Sequence, residues 1–200
     1  MRVSRAQAEE NRRTVIQVAA RLFRERGFDG IGLNDLMKGA GLTQGGFYKQ
    51  FRSKEDLAAQ ASAKAFEGSA GKWADVAAKA RKPLDALVRF YLSDRHRQEK
   101  GERCALAALG ADAARGSPAL RQAFEEGIER QLAFLDGLVD VAPGKDVRER
   151  SMAVLSTKIG ALVLSRAVND EQLSKQFLQA ATASVLKGST RGEAQQGPRR

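Results

Sequence analysis

Gly39-Ala-Gly-Leu-Thr-Gln-Gly-Gly-Phe-Tyr-Lys-Gln-Phe-Arg-Ser-Lys-Glu-Asp-Leu57 decides the fold, because it holds three helix boundaries and an aromatic knot in one short run. Just ahead of it, Leu33 to Ala40 places Leu33, Leu36 and Met37 on one face of a short helix. Gly41 supplies the left-handed residue that ends such a helix at low cost. Thr43 follows at an N-cap position, its hydroxyl placed to hold a free backbone N–H of a helix expected from Gln44 to about Phe51. That helix is too short to stand alone and must be held by neighbours. Phe47 and Phe51 are four apart and share the docking face, while Gln44, Tyr48 and Lys49 point elsewhere. Ser53 then caps a further helix, with Asp56 three residues on in a variant of the capping box and Lys54 in the first turn. A lysine there opposes the helix dipole and suits an anionic partner such as phosphate. The whole reads as the second half of a helix-turn-helix. Spacing alone leaves a second reading open, since short capped helices joined at a glycine also occur in helical proteins that touch no DNA.

Composition narrows the setting. The chain has 200 residues, 42% of them hydrophobic, with four prolines and no alternating apolar runs. That predicts an all-α protein, with one good core or with a small domain joined to a larger one. The formal net charge is +10. Residues 1–54 carry eleven Lys and Arg against five acids, so +6 of the +10 lies in about a quarter of the chain. Such a head fits a polyanionic partner, although a merely solvated basic surface gives the same bias. The N-terminus shows no apolar leader, and Met152 to Val168, the longest apolar run, is interrupted by Lys158 and Arg166. One cysteine cannot form an internal disulfide, so a reducing cytoplasm is expected.

The remaining helices follow from period and punctuation. The first runs from about Ala6 to Arg26 and ends at Gly27, with Phe28 placed for the apolar contact of a Schellman cap. A long one starts at Lys54 and passes Trp73. Pro83 opens another carrying Leu84, Leu87, Val88, Tyr91 and Leu92. Cys104 to Ala114 is helical, Ser117-Pro118 starts a helix reaching about Asp140, and Pro143-Gly144 turns the chain into Val147 to Asn169. Asp170 caps the last helix, and residues 188–200 are expected to be a disordered tail. The pair 118–140 and 146–169 is suited to closing a four-helix bundle across a two-fold axis; a purely intramolecular core is the alternative.

From Arg12 to about Leu57 the chain resembles the N-terminal domain of TetR/AcrR-type regulators, whose helix-turn-helix ends in Gly, Tyr, Phe and Ser-Lys-Glu-x-Leu, here Gly46, Tyr48, Phe51, Ser53, Lys54, Glu55 and Leu57. The resemblance implies a three-helix DNA-binding domain at 1–56 and an effector-binding and dimerisation domain at 57–187. It implies that Asn34, Gln44, Gly45 and Gln50 face base edges and that Thr43, Tyr48, Lys49 and Lys54 hold phosphates. Gly45 and Gly46 would let the helix approach closely. Two departures bear on the operator: Gly32 caps the second helix where the family has Thr or Ser, and Gln50 stands where His is common. The long hairpin would make the homodimer, which a palindromic site requires.

In such proteins the region 60–115 surrounds an effector pocket, and Phe66, Trp73, Leu87, Phe90, Tyr91, Leu106 and Leu109 are candidates to line it, though apolar residues at helical spacing are equally the content of a core. Cys104 follows Arg103 and lies near Arg95, Arg97 and Lys100 in sequence, close to a helix start, features that lower a thiol's pKa. Its Cys-x-x-x-x-Leu segment weakly resembles that of electrophile-responsive, N-ethylmaleimide-type repressors. A small buried hydrophobe is the other reading of Cys104. His96, the only histidine, is expected as a solvated helix end between two arginines and as a poor metal ligand. No cofactor is expected. The function implied is a homodimeric repressor released from a palindromic operator by a small-molecule or thiol-reactive effector. The alternatives are a purely non-covalent apolar effector with Cys104 structural, or a sequence-indifferent architectural DNA binder. A helical enzyme lacks support, because no Ser/His/Asp or Cys/His set, phosphate-binding glycine loop or ligand-spaced carboxylates are seen.

Overall fold

The computed structural model describes residues 4–99 and 104–187, and within them every regular element is helical. The order is α1 (Arg5–Arg26), α2 (Leu33–Gly39), a 3₁₀ helix (Gln44–Lys49), α3 (Lys54–Ala78), α4 (Pro83–Tyr91), α5 (Asp94–Gln98), α6 (Ala105–Ala114), α7 (Pro118–Asp136), α8 (Val147–Ala167) and α9 (Glu171–Lys187). None of these helices is long and apolar enough to cross a membrane. The expected tail at 188–200 lies outside the described residues.

The boundaries are set by side chains that satisfy free backbone groups. Ser4 accepts from the Gln7 amide at 3.1 Å, Ser53 from Asp56 at 3.1 Å, Ser117 from Leu120 at 3.3 Å, Asp146 from Arg148 at 2.7 Å and Asp170 from Leu173 at 2.8 Å. Each such cap is worth about 1 kcal/mol. Gly41, at φ 71°, makes the left-handed turn between α2 and the 3₁₀ helix, as its sequence position predicts.

Packing divides the described residues into two compact units, one of residues 4–69 with 104–127 and the other of 70–99 with 128–187. This partition differs from the functional one drawn at residue 56, because 57–69, α6 and the start of α7 pack with the head. In the first unit a single apolar cluster joins Val15, Ala19 and Phe23 of α1 to Leu36 and Met37 of α2, Phe47, Phe51, Leu57 and Phe66, and then to Leu109, Leu120 and Phe124. Phe66 and Phe124 meet edge to face with centroids 5.3 Å apart. Gly127 is needed there, since a Cβ would stand 2.4 Å from the Phe66 ring.

In the second unit Trp73 packs edge-on against Tyr91 at 6.1 Å and beside Phe134. Two links tie the antiparallel neighbours α8 and α9, the Ser174 hydroxyl donating to the Ser165 carbonyl at 2.6 Å in the interior and Arg150 to that of Val185 in a half-buried position. Arg166 of α8 donates to the carbonyls of His96 and Arg97 at 2.8 and 3.1 Å, satisfying the free end of α5. Arg148 pairs with Glu129 and with Asp136.

Three expectations need correcting. The turn after α2 is a six-residue 3₁₀ helix, shorter than the helix expected to Phe51, and the Gly45-Gly46 pair explains why it gains no α-helical length. The helix expected to reach Asp140 stops at Asp136, where Gly137 follows and the Leu138 and Val139 amides turn back onto the Leu135 carbonyl. His96 is buried rather than solvated: Ser93 starts a separate short helix, the His96 ring stacks on Phe90, and its Nδ1 lies 2.7 Å from the Tyr91 carbonyl oxygen. The flanking Arg95 and Arg97 suggested water, but the histidine occupies the inward position of that turn.

Candidate nucleic-acid interface

Phe47 is 0% exposed and fixes the 3₁₀ helix to the first unit's core, with Phe51 at 5.4 Å on one side and Tyr48 edge-on at 5.1 Å on the other. Burying such a ring stabilises by about 1.5–3 kcal/mol. One face of the turn is thereby immobilised and the other is left open. On the open face Tyr48 is 70% exposed, and Thr43, Gln44, Gly45 and Lys49 are exposed with it. Asn34 and Lys38 of α2 and Arg52 in the following link are exposed as well, and Lys54 is half-buried at the first turn of α3. The structure thus gathers the sequence-predicted residues on the 3₁₀ helix and its two flanking elements.

Two of them behave differently from expectation. Thr43 occupies the cap position but its hydroxyl makes no cap bond, so that oxygen is not spent within the head. Gln50 is half-buried, and its amide oxygen is shielded from solvent with no hydrogen-bond partner. No atom lies within 4 Å of a Cβ built on Gly45, and one built on Gly46 makes ordinary contact with Met37, so neither glycine is required by packing inside the head.

The capping of α3 is more elaborate than its sequence pattern shows. Asp56 Oδ2 accepts the Arg52 backbone N–H at 3.0 Å, and Asp56 Oδ1 accepts from the Gln60 amide at 2.8 Å. Burial raises the Asp56 carboxyl pKa, but these two hydrogen bonds and the charges of Arg52 and Arg12 outweigh it and hold the group below its ordinary value. Arg12 of α1 donates to Gln60 Oε1 and lies 5.2 Å over the Phe51 ring. Sequence reading passed over Arg12 and Gln60, whose partners are long-range and carry no local signature.

The effector candidates fall in both units. Phe66, Cys104, Leu106 and Leu109 belong to the first, where Phe66, Cys104 and Leu109 are buried and Leu106 is half-buried. Cys104 is the N-cap residue of α6, a free thiol only 3% exposed. The neighbours invoked for it, Lys100 and Arg103, lie outside the described residues. Trp73, Leu87, Phe90 and Tyr91 belong to the second unit, and all but Phe90 are buried. There Lys158, itself 0% exposed, holds its ammonium 3.7 Å from the Trp73 ring centroid and 4.6 Å from that of Tyr91. In the sequence Lys158 had read only as a break in an apolar run.

Known proteins share this head. The family described as "Bacterial regulatory proteins, tetR family" matches residues 15–61. The HTH-type transcriptional regulator AcrR of Shigella flexneri is 38% identical over 56 residues, 28% of this chain and 26% of that protein. HTH-type transcriptional regulators of Staphylococcus aureus are 38% identical over 53 residues. The chain spans about a quarter of the length of these curated relatives. Among solved structures, Escherichia coli NemR in its reduced form is 20% identical with a TM-score of 0.75, over 89% of this chain and 96% of that one. A TetR-family regulator from Cytophaga hutchinsonii is 19% identical with a TM-score of 0.77, over 96% and 100%. Likeness at that identity carries the fold and no more. Residues 15–61, the helix-turn-helix head, are thus similar to the tetR family of bacterial regulatory proteins, and the likeness in sequence is confined to that head.

Proposed function

We propose that the chain is a sequence-specific transcriptional regulator, a homodimeric repressor released from a palindromic operator when a small molecule binds it. The observation that carries the reading is the two-sided 3₁₀ helix: Phe47 wholly buried beneath, Gln44, Tyr48 and Lys49 open above. In this reading residues 1–56 read DNA and residues 57–187 bind the effector and dimerise. Asn34, Gln44 and Gly45 meet base edges, and Gln50 joins them once its amide turns outward. Thr43, Tyr48, Lys49 and Lys54 hold phosphates and fix register.

A single head covers too few base pairs to define a site, so a dimer is required. Its closing surface is α8 with α9. Met152, Val163 and Leu164 of α8 and Leu173 of α9 are all exposed, Met152 and Leu164 at 48% each. The outward side of α7 instead presents Arg121, Glu125, Glu126, Glu129 and Arg130, which suits water better than a bundle interior. The proposed interface therefore keeps the second helix of the hairpin read from sequence and replaces the first by α9. The effector acts by differential affinity, favouring a state in which the two heads no longer fit successive major grooves. The burial of Cys104 supports a non-covalent effector over a thiol-reactive one.

Selection of bound sequences from a random DNA pool tests the reading. A regulator enriches one palindrome, by orders of magnitude over random DNA; an architectural binder enriches none, which would remove the operator and the dimer requirement together. With the selected site in hand, Lys54→Ala should weaken binding and lower the salt slope by about one.

A further inference from the structure

Arg12 leaves α1 half-buried, and its guanidinium is engaged twice inside the head. Nη2 donates to Gln60 Oε1, and the planar group lies 5.2 Å over the Phe51 ring. Gln60 passes the connection on, its amide N–H donating to Asp56 Oδ1 at 2.8 Å. The other oxygen of Asp56 accepts the Arg52 backbone N–H at 3.0 Å, while the Asp56 amide donates to the Ser53 hydroxyl at 3.1 Å. The relay therefore starts on the first helix and ends on the Arg52 backbone N–H and the Ser53 hydroxyl, within the three-residue link 51–53 between the 3₁₀ helix with its Gln50 cap and α3. A second, apolar route starts from the same side chain: Phe51 under the guanidinium packs on Phe47, and Phe47 on Tyr48.

We propose that Arg12 is a positioning residue for DNA reading, which sets the exit angle of the 3₁₀ helix through the Gln60–Asp56 relay and touches no DNA itself. This rests on the DNA-binding reading above. Three features of the head lead to it. The fork of Arg12 is turned to Gln60 and the Phe51 ring, so its bonds are made within the head. The apolar cluster that holds the first unit together is complete without it, running from Val15 to Phe124 through residues of five α-helices and the 3₁₀ helix. The groups it orients, Lys54 at the start of α3 and Tyr48 at the far edge of the aromatic stack, are those assigned to phosphates. Recognition demands placement within about 0.5 Å, and a chain of charge-assisted bonds over a stacked ring adds stiffness to a link whose backbone bonds are the Phe51 amide on the Phe47 carbonyl and the Leu57 amide on the Ser53 carbonyl. Lysine cannot substitute, because it has neither the planar fork nor the flat face that covers Phe51.

The test measures operator and random-DNA affinity across a salt series, with melting temperature, for the full chain and for Arg12→Met, Arg12→Lys, Gln60→Leu and the Arg12→Met/Gln60→Leu pair. Arg12→Met and Gln60→Leu should each weaken operator binding about tenfold, leave the salt slope and melting temperature close to the parent's, and lose less on random DNA. Arg12→Lys should behave as Arg12→Met does, and the double variant should be no weaker than the weaker single. A salt slope lowered by about one in Arg12→Met with recovery in Arg12→Lys would make Arg12 a phosphate contact and overturn the proposal. So would additive losses in the double variant, unchanged operator affinity in Gln60→Leu, or a lowered melting temperature with unchanged affinity. If the parent selects no sequence at all, the DNA reading itself fails, an outcome separate from these.

Discussion

Among the described residues, the first packing unit buries Ser62 as its one polar side chain within a large apolar cluster, while the second buries His96, Gln131, Ser151, Lys158, Ser165 and Ser174. Each buried polar group costs free energy unless it is matched by a partner. Some of those in the second unit are matched within it: Ser174 with Ser165, His96 with Tyr91, and Lys158 with two aromatic faces. Gln131 is matched by nothing, as both ends of its amide are buried without a hydrogen bond. The contrast follows the division of labour proposed above. A surface that must present the same groups to every operator is best backed by dense apolar packing, and the first unit has that. A region that must respond to a molecule needs donors and acceptors held away from water, and the second unit has those.

Breaking the first side of this contrast should give the largest effect. Phe47→Ala removes a fully buried ring at the point where the 3₁₀ helix meets the core, and should cost about 3–5 kcal/mol in chemical denaturation together with operator binding. A loss under 1 kcal/mol would mean that the head's packing does not hold the reading turn. On the other side, Gln131→Leu replaces an unmatched amide by an apolar side chain of similar size and should raise stability by about 1–2 kcal/mol. If stability falls instead, the amide has a partner in solution and the second unit is better satisfied than its hydrogen bonds indicate.

A smaller and pH-dependent effect should come from His96. Burial holds its imidazole below the ordinary pKa, helped by the charges of Arg166 and Lys72 and opposed by the Tyr91 carbonyl and Glu99. The unfolded chain then takes up a proton at a higher pH than the folded one. The contribution is therefore complete above about pH 6.5 and is lost as the pH falls towards the folded value. Melting curves should show the parent losing stability from pH 7.5 to 5.5 more steeply than His96→Asn; parallel curves would place the titration elsewhere. The smallest effect concerns Cys104. N-ethylmaleimide should label the folded protein slowly and leave operator affinity unchanged, because the thiol is 3% exposed in the apolar unit. Rapid labelling with release from DNA would move the sensing function into the first unit and reverse the comparison.

How far the sequence foretold this depends on the range of the interactions concerned. Local devices were legible: Gly41 in a left-handed turn, Ser53 and Asp170 as caps, Pro83 opening α4, the inward pair Phe47 and Phe51. These depend on residues a few positions apart, where spacing and side-chain chemistry suffice. His96 was misread because its neighbours in sequence are arginines while its neighbours in space are Phe90 and Tyr91. Arg12 and Gln60 are 48 positions apart, and neither residue type announces a partner. The charged outer side of α7 was present in the sequence, but the proposal of α9 as the companion of α8 rests on which residues the fold covers, and spacing does not give that.

The shortness of the 3₁₀ helix has an arithmetic consequence. At about 2 Å of rise per residue, the six residues Gln44–Lys49 extend roughly 12 Å, about the width of the major groove. That length spans about three or four base pairs at 3.4 Å each. A four-letter word recurs by chance about once in 256 positions, so one head alone would meet its word thousands of times in a genome offering about 10⁶ or more sites. Two heads at a fixed separation lengthen the word to about eight letters, and chance matches fall to about one in 65,000. In the proposed dimer the distance between the heads would then be part of the address: a change in separation alone, with every contact residue intact, would be enough to erase it.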